Sequence, residues 1–391
     1  MIISILGHGV VGQGVWEMLQ GNPLYTVRNV LVKKGEKTAD FMTESFDTVL
    51  NDDSELVIEC MGGIDPAYAF TSKCLEAGKS LISSNKALVA AHGIDLLEIA
   101  RRKNLSFIFS AACGGAIPIL QNLCLARKTD TIERAGGILN GTTNFILDSM
   151  DRLGLGFDEA LAKAKALGYA EADPTADISG MDTMRKIMLI SMVAYDVLPN
   201  SDYDIEGIQS VSAADFGAAD RLGCTIRLVG NCGLSESGRL YAYVQPVLCS
   251  RSSLLAGIRR NINLAMYHGK NAGDMSFMGQ GAGRYPTASA ILRDVSSVTG
   301  GQKQILGDKC LVGFACNDAK ECTRKFFIRT SSSGFASLSE KIAIEKVLFE
   351  EGGKKWAVTK PLTVSEMHRQ VSDARRRGLE VFFAELQEEQ A

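Results

Sequence analysis

Three observations predict an α/β fold in three parts. The chain opens as strand, turn and helix: Ile2–Leu6 is apolar, Gly-His-Gly-Val-Val-Gly occupies 7–12, and a helical pattern runs from 10 to 20. Strand and helix patterns then alternate, with strands at 27–33, 55–60, 80–83 and 106–110 and helices near 66–78 and 93–103. A different pattern follows: strands at 135–139 and through 244–282 flank an apolar helix over 181–195, and a strand-helix-strand-helix-strand run closes the chain. Together these give a Rossmann-type dinucleotide-binding domain (1–130 plus 285–308), an inserted α+β domain (131–284) and a C-terminal β-α-β-α-β module (309–391). In that module the expected elements are strands at 325–331, 356–361 and 379–386 and helices at 336–351 and 363–378.

Composition narrows the class. A chain of 391 residues suits two or three domains, and 46% hydrophobic with 22% charged residues is ordinary for a globular protein. A net charge of −3 gives no basic footprint for nucleic acid or an anionic membrane, so neither is an expected partner. No apolar run reaches the roughly 18 residues that span a bilayer. The N-terminus enters a strand at once and leaves no room for a signal peptide, so a cytoplasmic protein is expected. The ten cysteines form no CxxC pair and read as reduced, buried thiols. Cys310, Cys316 and Cys322 recur every six residues, but that spacing fits no usual zinc pattern and no histidine accompanies it.

The opening motif carries the first chemistry. In GxGxxG, Gly7 permits the tight turn, Gly9 lets backbone amides reach a pyrophosphate, and Gly12 allows close helix–strand packing. Val10 and Val11 begin the helix whose N-terminus faces those phosphates. The second strand ends in Lys33 and Lys34, with Lys37 close by and no carboxylate before Glu36. Basic groups there suit a ribose 2′-phosphate, which favours NADP over NAD. His8, inside the loop, is assigned no chemistry. Gly62 and Gly63 follow the third strand, and Ser84 and Asn85 the next, at the sheet edge where a cofactor lies in such folds. Gly283 and Thr287, in a glycine-rich loop entering a helix, offer another cofactor contact.

The stretch 136–191 holds the second chemistry. Glu171, Asp173, Asp177 and Asp182 crowd a short segment, and Lys186 follows in an apolar run. On a helix Asp182 and Lys186 lie one turn apart on the same face. Charges at the mouth of a buried helix are costly unless paired or used, so this is either a structural ion pair beside an acidic loop or a reacting site. Asn140-Gly141-Thr142-Thr143-Asn144 can cap a helix and also present donors to a small polar substrate.

NGTTN at 140–144, GYAEADPTAD at 168–177 and GMDxxRK at 180–186, in this order and spacing, resemble the catalytic region of homoserine dehydrogenase. The resemblance spans roughly residues 1–300. It implies NAD(P)H-dependent, reversible reduction of L-aspartate 4-semialdehyde to L-homoserine by an enzyme of threonine and methionine biosynthesis. It also implies two catalytic lysines, Lys186 and the Lys86 of an Asn-Lys motif, converging on one pocket. Gly141, Thr142 and Tyr169 would contact the amino-acid substrate. Glu171 would hold its ammonium, and Asp177 and Asp182 its hydroxyl or the lysine. Glu206, in an EGI motif, would lie near the substrate. Where the family commonly places a cation-binding glutamate this chain has Ser110, which leaves only main-chain carbonyls near Cys113 and Gly115 for a monovalent cation such as sodium. A homodimer or homotetramer is implied, with the inserted domain carrying catalysis and dimerisation.

The C-terminal module looks like an ACT-type regulatory domain. Its first turn, Ser331-Ser332-Ser333-Gly334, lacks the Pro-Gly typical of effector-binding members. Amino-acid feedback, for example by threonine, and a purely structural or oligomerising role both remain open. So do two rival functions: a dehydrogenase of another amino- or hydroxy-aldehyde, and a non-catalytic nucleotide or amino-acid sensor. A lysine is a base only when neutral. Desolvation and a second lysine favour the neutral form, whereas carboxylates oppose it.

Overall fold

Strand β1 (Ile2–Leu6) is apolar but for Ser4, whose hydroxyl donates to Asp52 (2.7 Å), because it sits inside a parallel sheet with both faces covered. The computed structural model describes residues 1–199, 203–306, 312–315 and 319–387. It forms two compact units, the first made of Met1–Thr131, Met188–Leu198 and Gly279–Val312.

In the first unit the chain continues through α1 (Val10–Leu19), β2 (Thr26–Leu31), β3 (Met42–Thr43), α2 (Phe46–Leu50), β4 (Leu56–Glu59), α3 (Ala67–Glu76), β5 (Ser80–Ser83), α4 (Lys86–Arg102), β6 (Phe107–Ile108) and α5 (Ile119–Ala126). All neighbouring strands are parallel, in the order β3-β2-β1-β4-β5-β6. That order reverses between β1 and β4, and a Rossmann sheet binds its dinucleotide outside the carboxyl ends of the strands at this switch point. α4 begins seven residues earlier than the 93–103 pattern indicates, so that Lys86 is its first residue. The cause is Asn85, whose side chain caps the helix by accepting from the Leu88 amide (3.1 Å).

The second unit (Ile132–Ile187, Pro199–Met278, Gly313–Ala391) is built on one ten-stranded sheet. Strand β7 (Ile132–Ile138) lies between the antiparallel strands Cys224–Leu234 and Ile262–Gly269. Cys224–Leu234 pairs along its length with Leu240–Ser250, which is buried at every position but the last. After β7 come α6 (Gly141–Leu153), α7 (Phe157–Ala166), α8 (Thr175–Ile178) and α9 (Met181–Tyr195). Val381–Leu386 joins Leu240–Ser250 in parallel, so the sheet runs unbroken into the C-terminal strands Phe326–Ser331, Lys354–Thr359 and Ile344–Glu351. Tyr241 and Tyr243 share one apolar core with Phe326, Val364, Met367 and Phe383.

The C-terminal module departs from the expected order in one element. The helix expected over 336–351 is only Phe335–Ser339, and Ile344–Glu351 is a strand. The module is therefore β-α-β-β-α-β, the split βαβ arrangement of ferredoxin-like folds. Glu and Lys in IEKVLFEE favour a helix locally, but Gly352-Gly353 (φ +56° and +71°) makes a two-residue hairpin that returns the chain as Lys354–Thr359.

Candidate active site

The carboxylates and lysine of the second unit form a connected, buried cluster. Lys186, on α9, pairs with Asp182 one turn before it (2.8 Å) and donates to the Leu139 carbonyl (2.5 Å). The Asn140 amide bridges two acids, donating to Asp182 (2.8 Å) and Asp177 (2.7 Å), while its oxygen caps α6 at the Thr143 amide (2.8 Å). Asp182 and Lys186 are each only 6% exposed. A buried ion pair is a weak source of stability on its own, because desolvating both charges offsets their attraction. Here a second carboxylate, Asp177, is tied to the pair through Asn140.

Around this cluster, Gly141 opens α6, and the Thr142 hydroxyl donates to the Tyr169 carbonyl (2.5 Å). The Tyr169 ring packs against Phe145 with centroids 4.9 Å apart, so the 168–173 loop is fastened to α6. Glu171 is exposed, as a residue receiving a ligand from solvent would be. Asp173 closes a local turn before α8, accepting from the Thr175 amide (3.0 Å) and hydroxyl (2.6 Å).

In the first unit the Gly7–Gly12 loop has the shape a pyrophosphate needs. A Cβ at Gly12 would lie 2.0 Å from the Gly7 carbonyl, whereas one at Gly9 would meet nothing within 4 Å. No side chain caps α1, whose Gly9 and Val10 are exposed and whose Val11 is half-buried. His8 Nδ1 is buried without a partner among the described residues, beside the stacked rings of Trp16 and Phe41 (4.5 Å). An open glycine cradle, free helix amides and an unpartnered ring nitrogen fit a dinucleotide phosphate. Lys33 and Lys34 are exposed in the turn after β2, which closes with the Glu36 amide donating to the Lys33 carbonyl (3.0 Å). Gly283 caps the helix Arg284–Thr299, and Thr287 is buried in its first turn.

Sequence reading missed Glu59, which organises the sheet edge. Fully buried at the end of β4, its carboxylate accepts from the Ser83 hydroxyl (2.5 Å) and the Met61 amide (2.7 Å). Asn85 donates to the Gly63 carbonyl (2.6 Å), and the Ser84 amide to the Glu59 carbonyl (3.1 Å). The loop carrying Gly62 and Gly63 is thereby tied to the one carrying Ser84, Asn85 and Lys86. Half-buried Lys86 opens α4, where the helix dipole disfavours a cation, so helix stability alone does not favour a lysine there. An acid closing the apolar run Leu56-Val57-Ile58 was the available signal for Glu59.

Burial pushes the Glu59 carboxyl up to about 7, against the opposite pull of its donors. Between its ordinary value near 4.5 and about 7 the folded protein holds a proton that the unfolded chain has released. Glu59 therefore costs stability as pH rises through that window, and no more above it. Glu59→Gln should remove a penalty on the order of 3–4 kcal/mol, taking about 1.4 kcal/mol per pKa unit over the rise from near 4.5 to about 7. Unfolding curves at pH 5 and pH 8 should show the variant gaining on wild type at the higher pH. An equal difference at both would refute this.

Ser110 is tied to a buried carboxylate. Its hydroxyl donates to Asp294, which is fully buried and also accepts from the Gln121 amide (3.0 Å) and the Ala111 amide (3.2 Å). Burial raises the Asp294 carboxyl to about 6. Cys113 is buried and reduced. Gly115 lies against Gly281, with only 2.5 Å between its Cβ position and the Gly281 carbonyl carbon. Among the described residues no group of three or more His, Cys, Asp or Glu could hold a metal. Of the spaced cysteines, Cys310 and Cys316 lie outside the described residues, and Cys322 is buried and reduced. No helix among the described residues is long and apolar enough to cross a membrane. Glu206 pairs with Arg375 of the C-terminal module.

Comparison with known proteins agrees with this geometry. Residues 7–110 match the family model "Homoserine dehydrogenase, NAD binding domain", and residues 118–296 match "Homoserine dehydrogenase". The homoserine dehydrogenase of Corynebacterium glutamicum is 36% identical over 353 residues, covering 83% of this chain and 78% of that one. The enzyme of Mycobacterium tuberculosis is 37% identical over 327 residues, covering 78% and 74%. The crystal structure of a homoserine dehydrogenase from Thiobacillus denitrificans superposes with a TM-score of 0.89 at 26% identity, covering 99% of this chain and 98% of that one. With family models over more than half of its length and relatives above 30% identity, the chain belongs to the homoserine dehydrogenase family of NAD(P)-dependent oxidoreductases.

Proposed function

We propose that the protein interconverts L-aspartate 4-semialdehyde and L-homoserine, with Lys186 as a proton-transferring group and NADP preferred over NAD. The observation that carries the lysine reading is the buried Lys186–Asp182–Asn140–Asp177 cluster, which has more charge than packing requires. When bound, the nicotinamide supplies or accepts the hydride at the alcohol carbon. The chain's own residues handle the substrate and its proton. In the reducing direction the Lys186 ammonium gives a proton to the oxygen as negative charge develops there, and in the oxidising direction it takes that proton back. Asp182 and the Leu139 carbonyl fix the position of the amine between two acceptors. We assign Lys86 as the second catalytic lysine, Glu171 to the substrate ammonium, and Asp177 with the Thr142–Tyr169 segment to the rest of the substrate.

The cofactor contacts follow the loops at the sheet edge: Gly7–Gly12 for the pyrophosphate, Gly62, Gly63, Ser84 and Asn85 toward the nicotinamide, and Gly283 and Thr287 at the neighbouring helix N-terminus. Lys33 and Lys34 supply the charge for a 2′-phosphate. Replacing both by glutamate should raise KM for NADP at least tenfold and change KM for NAD less than threefold. Steady-state kinetics with each nucleotide check this, and equal losses for both would remove the lysines from 2′-phosphate recognition.

A further inference from the structure

Among the contacts that join the C-terminal module to the rest of its unit, one ion pair holds the segment packed behind the carboxylate cluster. Arg375, in the last turn of the helix Val364–Arg376, donates two parallel hydrogen bonds to Glu206, both 2.8 Å. Glu206 also accepts from the Ser210 hydroxyl (2.9 Å), and its side chain is 11% exposed. The guanidinium is fixed from behind by the Val381 carbonyl (2.8 Å). A bidentate, half-buried fork of this kind sets geometry as well as energy. Beside it the Ser365 hydroxyl donates to Asp204 (2.5 Å), so two contacts from one helix hold the short strand Asp204–Ile205.

That strand is in turn the backing of the acidic segment. Asp204 and Ile205 pair with Tyr243 and Val244, and the Glu206 amide donates to the Val244 carbonyl (2.8 Å). The Ile208 amide donates to the Ile178 carbonyl, the last residue of α8 (2.9 Å). Gly207 packs so closely that a Cβ there would lie 2.1 Å from the same carbonyl oxygen, and one on Gly180 would touch Ile205 at 3.0 Å. Asp177 lies on α8 and Asp182 in the first turn of α9, on either side of this contact. Asn140 ties both acids together.

We propose that the Arg375–Glu206 clasp makes the C-terminal module a positioning element of the active site, holding 204–208 against 178–180 so that Asp177 and Asp182 keep their bonds to Asn140 and Lys186. The inference rests on the reading of that cluster as the reacting one. Arg375 touches no reacting atom and acts only through Glu206. The family models end at residue 296, so they assign Arg375 nothing.

Steady-state oxidation of L-homoserine by the full chain tests it, with Arg375→Ala, Arg375→Lys, the exposed neighbour Arg376→Ala and Lys186→Met measured together. The expected result is a loss of tenfold or more in kcat for Arg375→Ala, with KM for NADP within twofold of wild type. Arg375→Lys, which keeps the charge but not the fork, falls between, and Arg376→Ala matches wild type. Arg375→Ala within twofold of wild type, beside an inactive Lys186→Met, overturns the clasp. If Arg375→Ala does not fold, Arg375→Lys decides, and unaltered kcat in it is equally fatal. A fully active Lys186→Met sinks the reading of the cluster, and the clasp with it.

Discussion

Lys186→Met is expected to slow homoserine oxidation by about three orders of magnitude, within the 10²–10⁴-fold range of a positioned acid–base group. The substitution keeps the apolar stem that packs along α9 and removes only the charged end. Stability falls as well, because Asp182 keeps the Asn140 amide (2.8 Å) but loses its ion-pair partner. Breaking a buried pair on one side costs about 3–5 kcal/mol. Asp182→Asn with Lys186→Met removes both charges and should regain most of that stability without regaining turnover. Denaturant unfolding together with single-turnover kinetics separates the two effects. If the double variant recovered activity along with stability, Lys186 would be structural and the proton would move elsewhere.

The second large effect falls on the scaffold. Gly137→Ala should destabilise the protein by 3 kcal/mol or more, or prevent folding altogether, an estimate beyond the roughly 1–3 kcal/mol usual for overpacking. Gly137 is the next-to-last residue of β7, at φ +133°, and a Cβ there would sit 2.0 Å from the Leu264 carbonyl oxygen. That neighbour is backbone on the paired strand, Ile262–Gly269, so it cannot rotate away. The strand matters to the site because β7 leads directly to Leu139 and Asn140, the acceptor for Lys186 and the bridge between its acids. A urea midpoint for Gly137→Ala close to that of wild type would contradict this packing.

What could be read in the sequence was local in register. The GxGxxG turn, the alternating strands and helices of the first unit, and the Asp182–Lys186 spacing all depend on residues within one or two turns, and the structure has them. The strand at Ile344–Glu351 was hidden because charged residues with high helix propensity outweighed the two glycines that follow it. Asn140 was legible as a helix cap, but its second role, bridging acids 37 and 42 residues away, was not. The same holds for Ser110 with Asp294 and for Glu206 with Arg375, separated by 184 and 169 residues. Only the folded chain brings such pairs together.

The most direct test is L-homoserine-dependent reduction of nucleotide by the purified protein, followed by nicotinamide absorbance with NADP and NAD in parallel. The account predicts turnover with both nucleotides, a higher kcat/KM with NADP, and none without homoserine. Folded protein that binds NADPH yet oxidises no homoserine with either nucleotide would contradict it.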